Sequence, residues 1–186
     1  MHLHEMSILK THCFKMVKSI IFDLDMTLVD SSIAEQARRG RDWRQVYNLI
    51  PNFSLYSGLD LVFEYIKAQN IKVAIVSTSP GAYIKQVCEY FQIPFDYIIG
   101  YHDAKPIKPH PAPIYKALTL LETPAEYSIA LGDKASDIIA ANRAKVTAIA
   151  CIWGSSEMEK LINSHPNYII DTPIEIINII RNIDTL

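Results

Sequence analysis

The chain has 186 residues, of which 49% are hydrophobic and 20% charged, which is enough for one sizeable globular core and too little for two. Its formal net charge is −2, with acidic and basic residues interspersed, so the charge gives no reason to expect a nucleic-acid or membrane partner. Three widely spaced cysteines form no CxxC pair, and neither a signal peptide nor an apolar run of about 20 residues is present. Together these features predict a cytoplasmic protein.

The first 16 residues follow neither a helical nor a strand period, and they predict an N-terminal tail with little order, residues 1–16. His2, His4 and His12 lie in this tail. We expect them to be solvated rather than metal ligands, because nothing nearby would fix the geometry of a metal site.

From Lys18 onward, short apolar runs alternate with longer helical patterns. The runs are apolar at both parities, as in strands buried on both faces of a parallel sheet, and are expected at 19–24, 72–77, 97–100, 127–131, 146–152 and 168–170. Apolar residues at three- and four-residue spacing predict helices at 59–69, 82–91, 113–121, 136–144, 157–163 and 173–182. This alternation predicts an α/β, doubly wound (Rossmann-like), mostly parallel sheet with helices on both faces.

The segment between residues 30 and 56 interrupts the alternation and shows no strand pattern. Ser31 and Ser32 precede Glu35 in the arrangement of a helix cap, and an apolar stripe begins at Trp43 and ends at Pro51. We therefore expect one or two short helices inserted after the first strand. The predicted organisation is a core of residues 17–30 and 57–186 with an insertion at 31–56.

Polar residues follow three of the predicted strands, where an open parallel sheet binds its ligands. Asp23 and Asp25 end the first strand, Ser77 the second, and Asp133 the fourth, while Lys108 lies in a loop before a helix. Each residue also has an ordinary structural interpretation, such as a loop residue or a strand exit. Taken singly, none of them establishes a function.

Two aspartates separated by one residue in an extended segment direct their side chains the same way. Such closely spaced charges are costly unless a cation lies near them, and Mg²⁺ with oxygen ligands is the natural solution. Asp133 and Asp137 repeat the argument at the start of a later helix, although Asp137 could equally interact with the helix dipole.

The order of four motifs along the chain favours a functional interpretation of these residues over a purely structural one. Read as DLDMT, VSTSP, KPHPAP and LGDKASD, the chain from Lys18 to about Ile152 resembles the haloacid dehalogenase-like phosphohydrolase superfamily. The resemblance implies a phosphatase with Mg²⁺ as its cofactor. It implies that Asp23 is the nucleophile that forms an aspartyl-phosphate, that Asp25 is the general acid/base, and that Thr27 supports the turn.

The resemblance also implies roles for the later motifs. Ser77 and Thr78 would bind the phosphoryl oxygens, and Lys108 would neutralise the charge of nucleophile and phosphate. Asp133 would be a metal ligand together with the Asp23 carboxylate and the Asp25 backbone carbonyl. Asp137 would support the metal water or the lysine.

Two features depart from the common family pattern. Met26 stands where relatives often have glycine, and the insertion at 31–56 has room only for a minimal helical cap. We expect a small phosphorylated substrate, or a larger one, because a small cap should leave the site open; an open site favours a larger or protruding substrate, or closure by a partner subunit. Basic residues of the insertion could contact a phosphate or carboxylate, although a solvated helix face is the simpler interpretation for each: Arg38, Arg39, Arg41 and Arg44.

The expected activity is Mg²⁺-dependent hydrolysis of a phosphomonoester. A phosphotransferase or phosphomutase would use the same intermediate, but it normally needs a closed cap to exclude water. A non-catalytic binding protein of the same fold is the third alternative, and the complete set of acidic and basic residues argues against it.

Overall fold

The computed structural model describes residues 16–184. Apart from Met16, the predicted N-terminal tail and its three histidines lie outside the described residues. No helix within the described part of the chain is long and apolar enough to cross a membrane.

Strands and helices alternate along the chain as predicted, and most of their ends lie within two residues of the expected positions. The strands are β1 Ser19–Phe22, β2 Val29–Asp30, β3 Ser54–Leu55, β4 Lys72–Val76, β5 Tyr97–Ile99, β6 Ser128–Gly132, β7 Thr147–Cys151 and β8 Tyr168–Ile170. The helices are α1 Glu35–Arg39, α2 Trp43–Leu49, α3 Leu59–Ala68, α4 Gly81–Tyr90, α5 Ala112–Leu121, α6 Ala135–Arg143, α7 Met158–Asn163 and α8 Glu175–Asp184.

Six of the strands form one parallel sheet in the order β5-β4-β1-β6-β7-β8. β1 lies in the middle, with Phe22 paired to Ile75 of β4 on one side and to Leu131 of β6 on the other. The chain first builds outward from β1 through β4 to β5, and then crosses to β6 and continues through β7 to β8. The carboxyl ends of β1, β4 and β6 therefore surround the topological switch point, where ligands bind in open sheets of this kind.

The sheet separates two apolar cores, because alternate residues of its strands face opposite sides. Ile20 and Phe22 of β1 pack with α3, α4 and α8, whereas Ile21 packs with α5, α6 and α7. All four residues of β1 are buried, which explains why the strand is apolar at both parities. The doubly wound α/β architecture predicted from the sequence is confirmed.

The insertion contains α1 and α2, in agreement with the expected one or two short helices. The absence of strands between residues 30 and 56 was wrongly predicted: β2 and β3 pair antiparallel, with Val29 opposite Leu55 and Asp30 opposite Ser54. Each strand has two residues, too few for an alternating pattern to show in the sequence. This ribbon closes the base of the insertion.

The predicted helix cap by Ser31 or Ser32 was also wrong, since no side chain caps the start of α1. The Ser31 side chain makes no capping hydrogen bond, and its Oγ instead donates to Asp25 Oδ1 at 2.7 Å. The side chain that caps a helix in the insertion is Asp42, whose Oδ1 accepts from Gln45 N at 3.0 Å at the start of α2. A serine after a strand end can serve either purpose, and only the fold brings an acceptor to Ser31.

Gly132 at the end of β6 allows the Asp137 side chain to lie directly against the strand. A Cβ at this position would overlap the Cβ and carboxylate of Asp137, on the first turn of α6. We expect Gly132→Ala to destabilise the protein by about 1–3 kcal/mol, because the overlap forces α6 away from the sheet. Urea unfolding measures the change. Gly40→Ala is the matched control, since a Cβ there meets its nearest atom at an ordinary 3.5 Å; equal losses in both variants would contradict this account.

Candidate active site

The turn that follows β1 carries the first predicted site residues. Met26 N donates to Val29 O at 2.8 Å, and Met26 has a φ of 67°, a left-handed conformation that costs least for glycine. Glycine, which the resemblance leads us to expect at this position, would adopt this conformation at less cost.

The loop after β7 packs against the turn. Trp153 Nε1 donates to Thr27 O at 3.1 Å, and Gly154 lies directly against the Met26 carbonyl.

Lys108 joins two carboxylates across the ends of three strands. Its Nζ lies 2.7 Å from Asp23 Oδ1 and 2.6 Å from Asp137 Oδ1, and it donates to Val76 O at 2.9 Å. Only 4% of the Lys108 side chain is exposed. Burial opposes the charged form of Lys108, but the Asp137 and Asp23 carboxylates outweigh it, so its pKa lies above the ordinary value. The ammonium is therefore a permanent positive charge beside Asp23.

Three carboxylates form a compact cluster around this lysine. Oxygens of Asp23, Asp133 and Asp137 lie within 4.8 Å of one another. Thr27 Oγ1 donates to Asp133 Oδ1 at 3.0 Å, whereas Asp133 Oδ2 is buried and has no hydrogen-bond partner. A buried carboxylate oxygen without a partner costs free energy unless a cation meets it. The cluster therefore fits a divalent cation with oxygen ligands.

Two carboxyl groups of the cluster have raised pKa values, because they are buried close to other carboxylates. Burial, only partly offset by Lys108, raises the pKa of Asp23 to about 6, and Asp137 contributes to the rise. Burial, with repulsion from Asp23 and Asp137, raises the pKa of Asp133 to about 8. One ammonium does not neutralise three neighbouring carboxylates, and a bound cation would favour their ionised forms.

The Asp25 side chain lies outside this cluster, in a separate hydrogen-bond network. Its Oδ1 accepts from Ser31 Oγ at 2.7 Å and from Tyr83 Oη at 2.6 Å, and lies 3.0 Å from Arg38 Nη1. Its Oδ2 accepts from Ser79 Oγ at 3.0 Å. Burial first, and then the Asp25 carboxylate, raise the pKa of Tyr83 well above its usual value, so the phenol is a neutral donor. The Asp25 carboxylate is therefore not one of the three carboxylates of the cluster.

The residues after β4 lie beside the nucleophile candidate. Ser77 is buried, and its Oγ accepts a hydrogen bond from Ser79 N at 3.1 Å, while Thr78 is exposed. Both line the same cavity as Asp23 and Lys108. The structure thus brings together, at one end of the sheet, the residues that the sequence predicted from four separate motifs.

The cavity above these residues has a volume of about 590 Å³ and is open on one side. Its floor consists of the strand-end residues, and the insertion forms one wall. Of the four arginines considered from the sequence, Arg38, Arg39 and Arg41 line the cavity, and Arg44 does not. Trp43 lines it as well, and its ring also packs against Tyr83, with the two ring centroids 5.7 Å apart.

Sequence reasoning missed three residues of the Asp25 network. Tyr83 falls on the apolar face of α4 and looks like any buried aromatic residue in the sequence. Ser79 lies two residues after Ser77, in a motif that was read only for Ser77 and Thr78. Arg38 was considered as a contact for a substrate anion, whereas it forms an ion pair with Asp25. No local sequence pattern links these residues to Asp25, because the links span different elements.

A family model described as haloacid dehalogenase-like hydrolase matches residues 35–151. This chain belongs to that family. Its relatives include a pyrophosphatase PpaX from Oceanobacillus iheyensis, 28% identical over 210 residues that cover 88% of this chain and 97% of the relative. A phosphoglycolate phosphatase from Mannheimia succiniciproducens is 28% identical over 72% of this chain, which spans only 60% of that relative. Because these relatives are named phosphatases, they support the class of enzyme expected from the sequence.

Solved structures of this hydrolase family share the fold. A predicted phosphoglycolate phosphatase from Haemophilus somnus aligns with a TM-score of 0.76 at 24% identity, covering 89% of this chain and 98% of the other. A haloacid dehalogenase-like hydrolase from Streptococcus pneumoniae aligns with a TM-score of 0.74 at 22% identity, covering 88% and 98%. At these identities the comparison supports the architecture alone.

The carboxylate cluster of this hydrolase predicts a measurable response to Mg²⁺. If the cluster binds Mg²⁺, we expect the ion at about 100 times its Kd to stabilise the folded protein by about 2.7 kcal/mol, or about 5–10 °C in Tm. We expect Asp133→Asn to lose this shift while being at least as stable as the wild type without Mg²⁺, because burying the Asp133 carboxyl group without a cation costs free energy that the neutral amide does not. Differential scanning calorimetry with and without Mg²⁺ measures both effects.

Asp60→Asn is the control, since Asp60 is an exposed carboxylate on α3 outside the cluster. It should keep the full Mg²⁺ shift. An unchanged shift in Asp133→Asn would place the cation elsewhere.

Proposed function

We propose that this protein is a Mg²⁺-dependent phosphohydrolase that cleaves a phosphomonoester through an aspartyl-phosphate on Asp23. The observation that supports this most is the buried Lys108 ammonium, 2.7 Å from Asp23 Oδ1, next to a carboxylate cluster with an unpartnered oxygen. A carboxylate can attack a phosphate dianion only where positive charge cancels their repulsion, and this site provides a lysine and a place for a cation.

In the first step, an Asp23 oxygen forms a bond to phosphorus as the bond from phosphorus to the ester oxygen breaks. Asp25, in its protonated form, gives a proton to the leaving oxygen, so the product is a neutral alcohol. Ser77 Oγ, Thr78 and Lys108 bind the phosphoryl oxygens during the transfer. The phosphoryl group remains covalently attached to Asp23.

In the second step, water attacks the phosphorus of the aspartyl-phosphate. Asp25, now a carboxylate, takes a proton from this water, and the bond between phosphorus and the Asp23 oxygen breaks. Inorganic phosphate leaves, and both aspartates return to their starting forms.

The residues that would hold Mg²⁺ are Asp23, Asp133 and the backbone carbonyl of Asp25, with Asp137 holding Lys108 in place. When bound, the ion supplies positive charge to the phosphoryl oxygens and a fixed orientation for them. A cytoplasmic location is part of the proposal, and the buried, unpaired Cys88 and Cys151 are compatible with it.

Asp23→Asn tests the nucleophile. The amide keeps the size of the side chain but is a poor nucleophile, so we expect phosphate release from a generic aryl phosphate to fall by roughly 10³-fold or more. Far-ultraviolet circular dichroism should show an unchanged fold. Retained turnover in this variant would refute the covalent mechanism. In the wild-type enzyme, transfer of phosphate to an added sugar instead of water would favour the phosphotransferase alternative.

The size of the insertion and of the cavity beneath it bears on the class of substrate. The alignment with the Oceanobacillus pyrophosphatase spans 210 residues, more than this whole chain has, so that relative contains residues without a counterpart here. This is compatible with residues 31–56 being a minimal cap over an open cavity, as expected from the sequence. A volume of about 590 Å³ suits a small phosphorylated molecule.

We propose that this molecule carries a second anionic group. Pyrophosphate and phosphoglycolate, which give two of the relatives their names, both have one. In the cavity wall, Arg38 pairs with Asp25 and Arg39 with Glu35, whereas Arg41 forms no ion pair within residues 16–184. Arg41 is thus the guanidinium available to a substrate anion.

Arg41→Gln should raise the KM for a phosphorylated carboxylic acid by about 10-fold, since a hydrogen bond to a charged group contributes about 1.5 kcal/mol. The KM for a phosphate ester with a neutral tail should change little. Arg44→Gln removes the same charge from the same insertion but outside the cavity, and it should change neither KM. Steady-state kinetics on the two substrates decide this, and equal effects on both would remove Arg41 from substrate recognition.

A further inference from the structure

The Asp25 carboxylate is held by more donors than a mobile acid/base needs. Three donors meet its Oδ1: Ser31 Oγ at 2.7 Å, Tyr83 Oη at 2.6 Å and Arg38 Nη1 at 3.0 Å. A single donor, Ser79 Oγ at 3.0 Å, meets its Oδ2. Each carboxylate oxygen has about two lone-pair sites, so Oδ1 is saturated and Oδ2 keeps one site open. The proton that Asp25 transfers therefore belongs on Oδ2.

Tyr83 is fixed by its surroundings as well as by Asp25. The residue is fully buried on α4, and its ring packs against two aromatic residues of α2, with centroids 5.7 Å from Trp43 and 6.2 Å from Tyr47. A buried phenol that donates a 2.6 Å hydrogen bond to Asp25 has little freedom to turn away. Its position therefore depends on the insertion, although Tyr83 itself belongs to the core.

Arg38 reaches Asp25 directly from α1. The same Nη1 that lies 3.0 Å from Asp25 Oδ1 also donates to Ser31 O at 3.0 Å. Only 14% of the Arg38 side chain is exposed, in contrast to the 79% of its neighbour Arg39. Arg38 is consequently part of a buried network and is not a solvated residue of the cap surface.

We propose that Tyr83 and Arg38 are positioning residues, which orient the Asp25 carboxylate so that Oδ2 faces the leaving group, and that the insertion acts as the brace for this orientation. The inference rests on the proposed function, because it assigns Asp25 the proton transfer. An acid that is slightly misplaced transfers its proton inefficiently even though it remains in the site. In this role both residues act through Asp25.

The test compares two phosphate esters that differ in their need for a proton. A nitrophenyl phosphate has a leaving group that departs with little protonation, whereas an alkyl phosphate depends on the acid. We expect Tyr83→Phe to lower kcat/KM for the alkyl ester by about 10- to 100-fold and for the aryl ester much less. The aryl-to-alkyl ratio of kcat/KM should therefore rise.

This ratio does not depend on the fraction of folded enzyme, so a purely structural effect of the substitution leaves it unchanged. Tyr47→Phe is the matched control, since it removes a hydroxyl from the same aromatic cluster without a bond to Asp25. Arg38→Gln should raise the ratio like Tyr83→Phe, and Arg38→Lys, which keeps the charge, should restore part of the loss. Arg44→Gln is the control for charge.

The outcomes separate the two levels of the proposal. No hydrolysis of either ester by the wild type would refute the proposed function itself. Hydrolysis by the wild type with an unchanged ratio in Tyr83→Phe and Arg38→Gln would refute the positioning role alone. A rise of the same size in Tyr47→Phe would also overturn it, because the effect would then come from the aromatic packing and not from the hydrogen bond.

Discussion

The contact between one buried ammonium and two carboxylates governs this end of the molecule. Lys108 lies 2.7 Å from Asp23 and 2.6 Å from Asp137, and it ties the loop before α5 to the end of β1 and the first turn of α6. Without the lysine, three carboxylates would share a buried space and repel one another. With it, the site is still short of positive charge. Because positive charge is short, the site favours binding of a cation, and an anionic substrate can then bind next to that cation.

The sheet topology makes this arrangement possible. The site residues are distant in the chain, with Asp23 and Lys108 separated by 85 positions. They meet because β1 lies between β4 and β6, and because every strand of the sheet runs in the same direction. The insertion then adds side chains from a different part of the fold to Asp25. The core thus assembles the charges, while the insertion orders the Asp25 carboxylate.

The sequence predicted the repeating parts of the structure and the parts encoded in short motifs. Strand and helix positions followed from apolar periodicity, and the residues around the nucleophile followed from the four motifs taken together. The β2–β3 ribbon was missed because two-residue strands have no period. The contacts of Tyr83 and Arg38 with Asp25 were missed for a different reason: a buried tyrosine and a helical arginine are common, and only the packing of α1 and α4 around β1 selects their partner. Similarly, the fold directed Ser31 to Asp25 and left the capping of α2 to Asp42.

The close approach of Gly154 to Met26 has an evolutionary consequence. The left-handed Met26 exposes its carbonyl to the loop after β7, and no side chain fits between them. Residue 154 therefore cannot be replaced by a larger amino acid while the turn after β1 keeps this shape. The two positions are nevertheless far apart in the chain, since Gly154 follows Met26 by 128 residues. Two sites that look independent in the sequence are thus expected to change only in concert, and a survey of this lineage should find the small residue retained wherever the turn is.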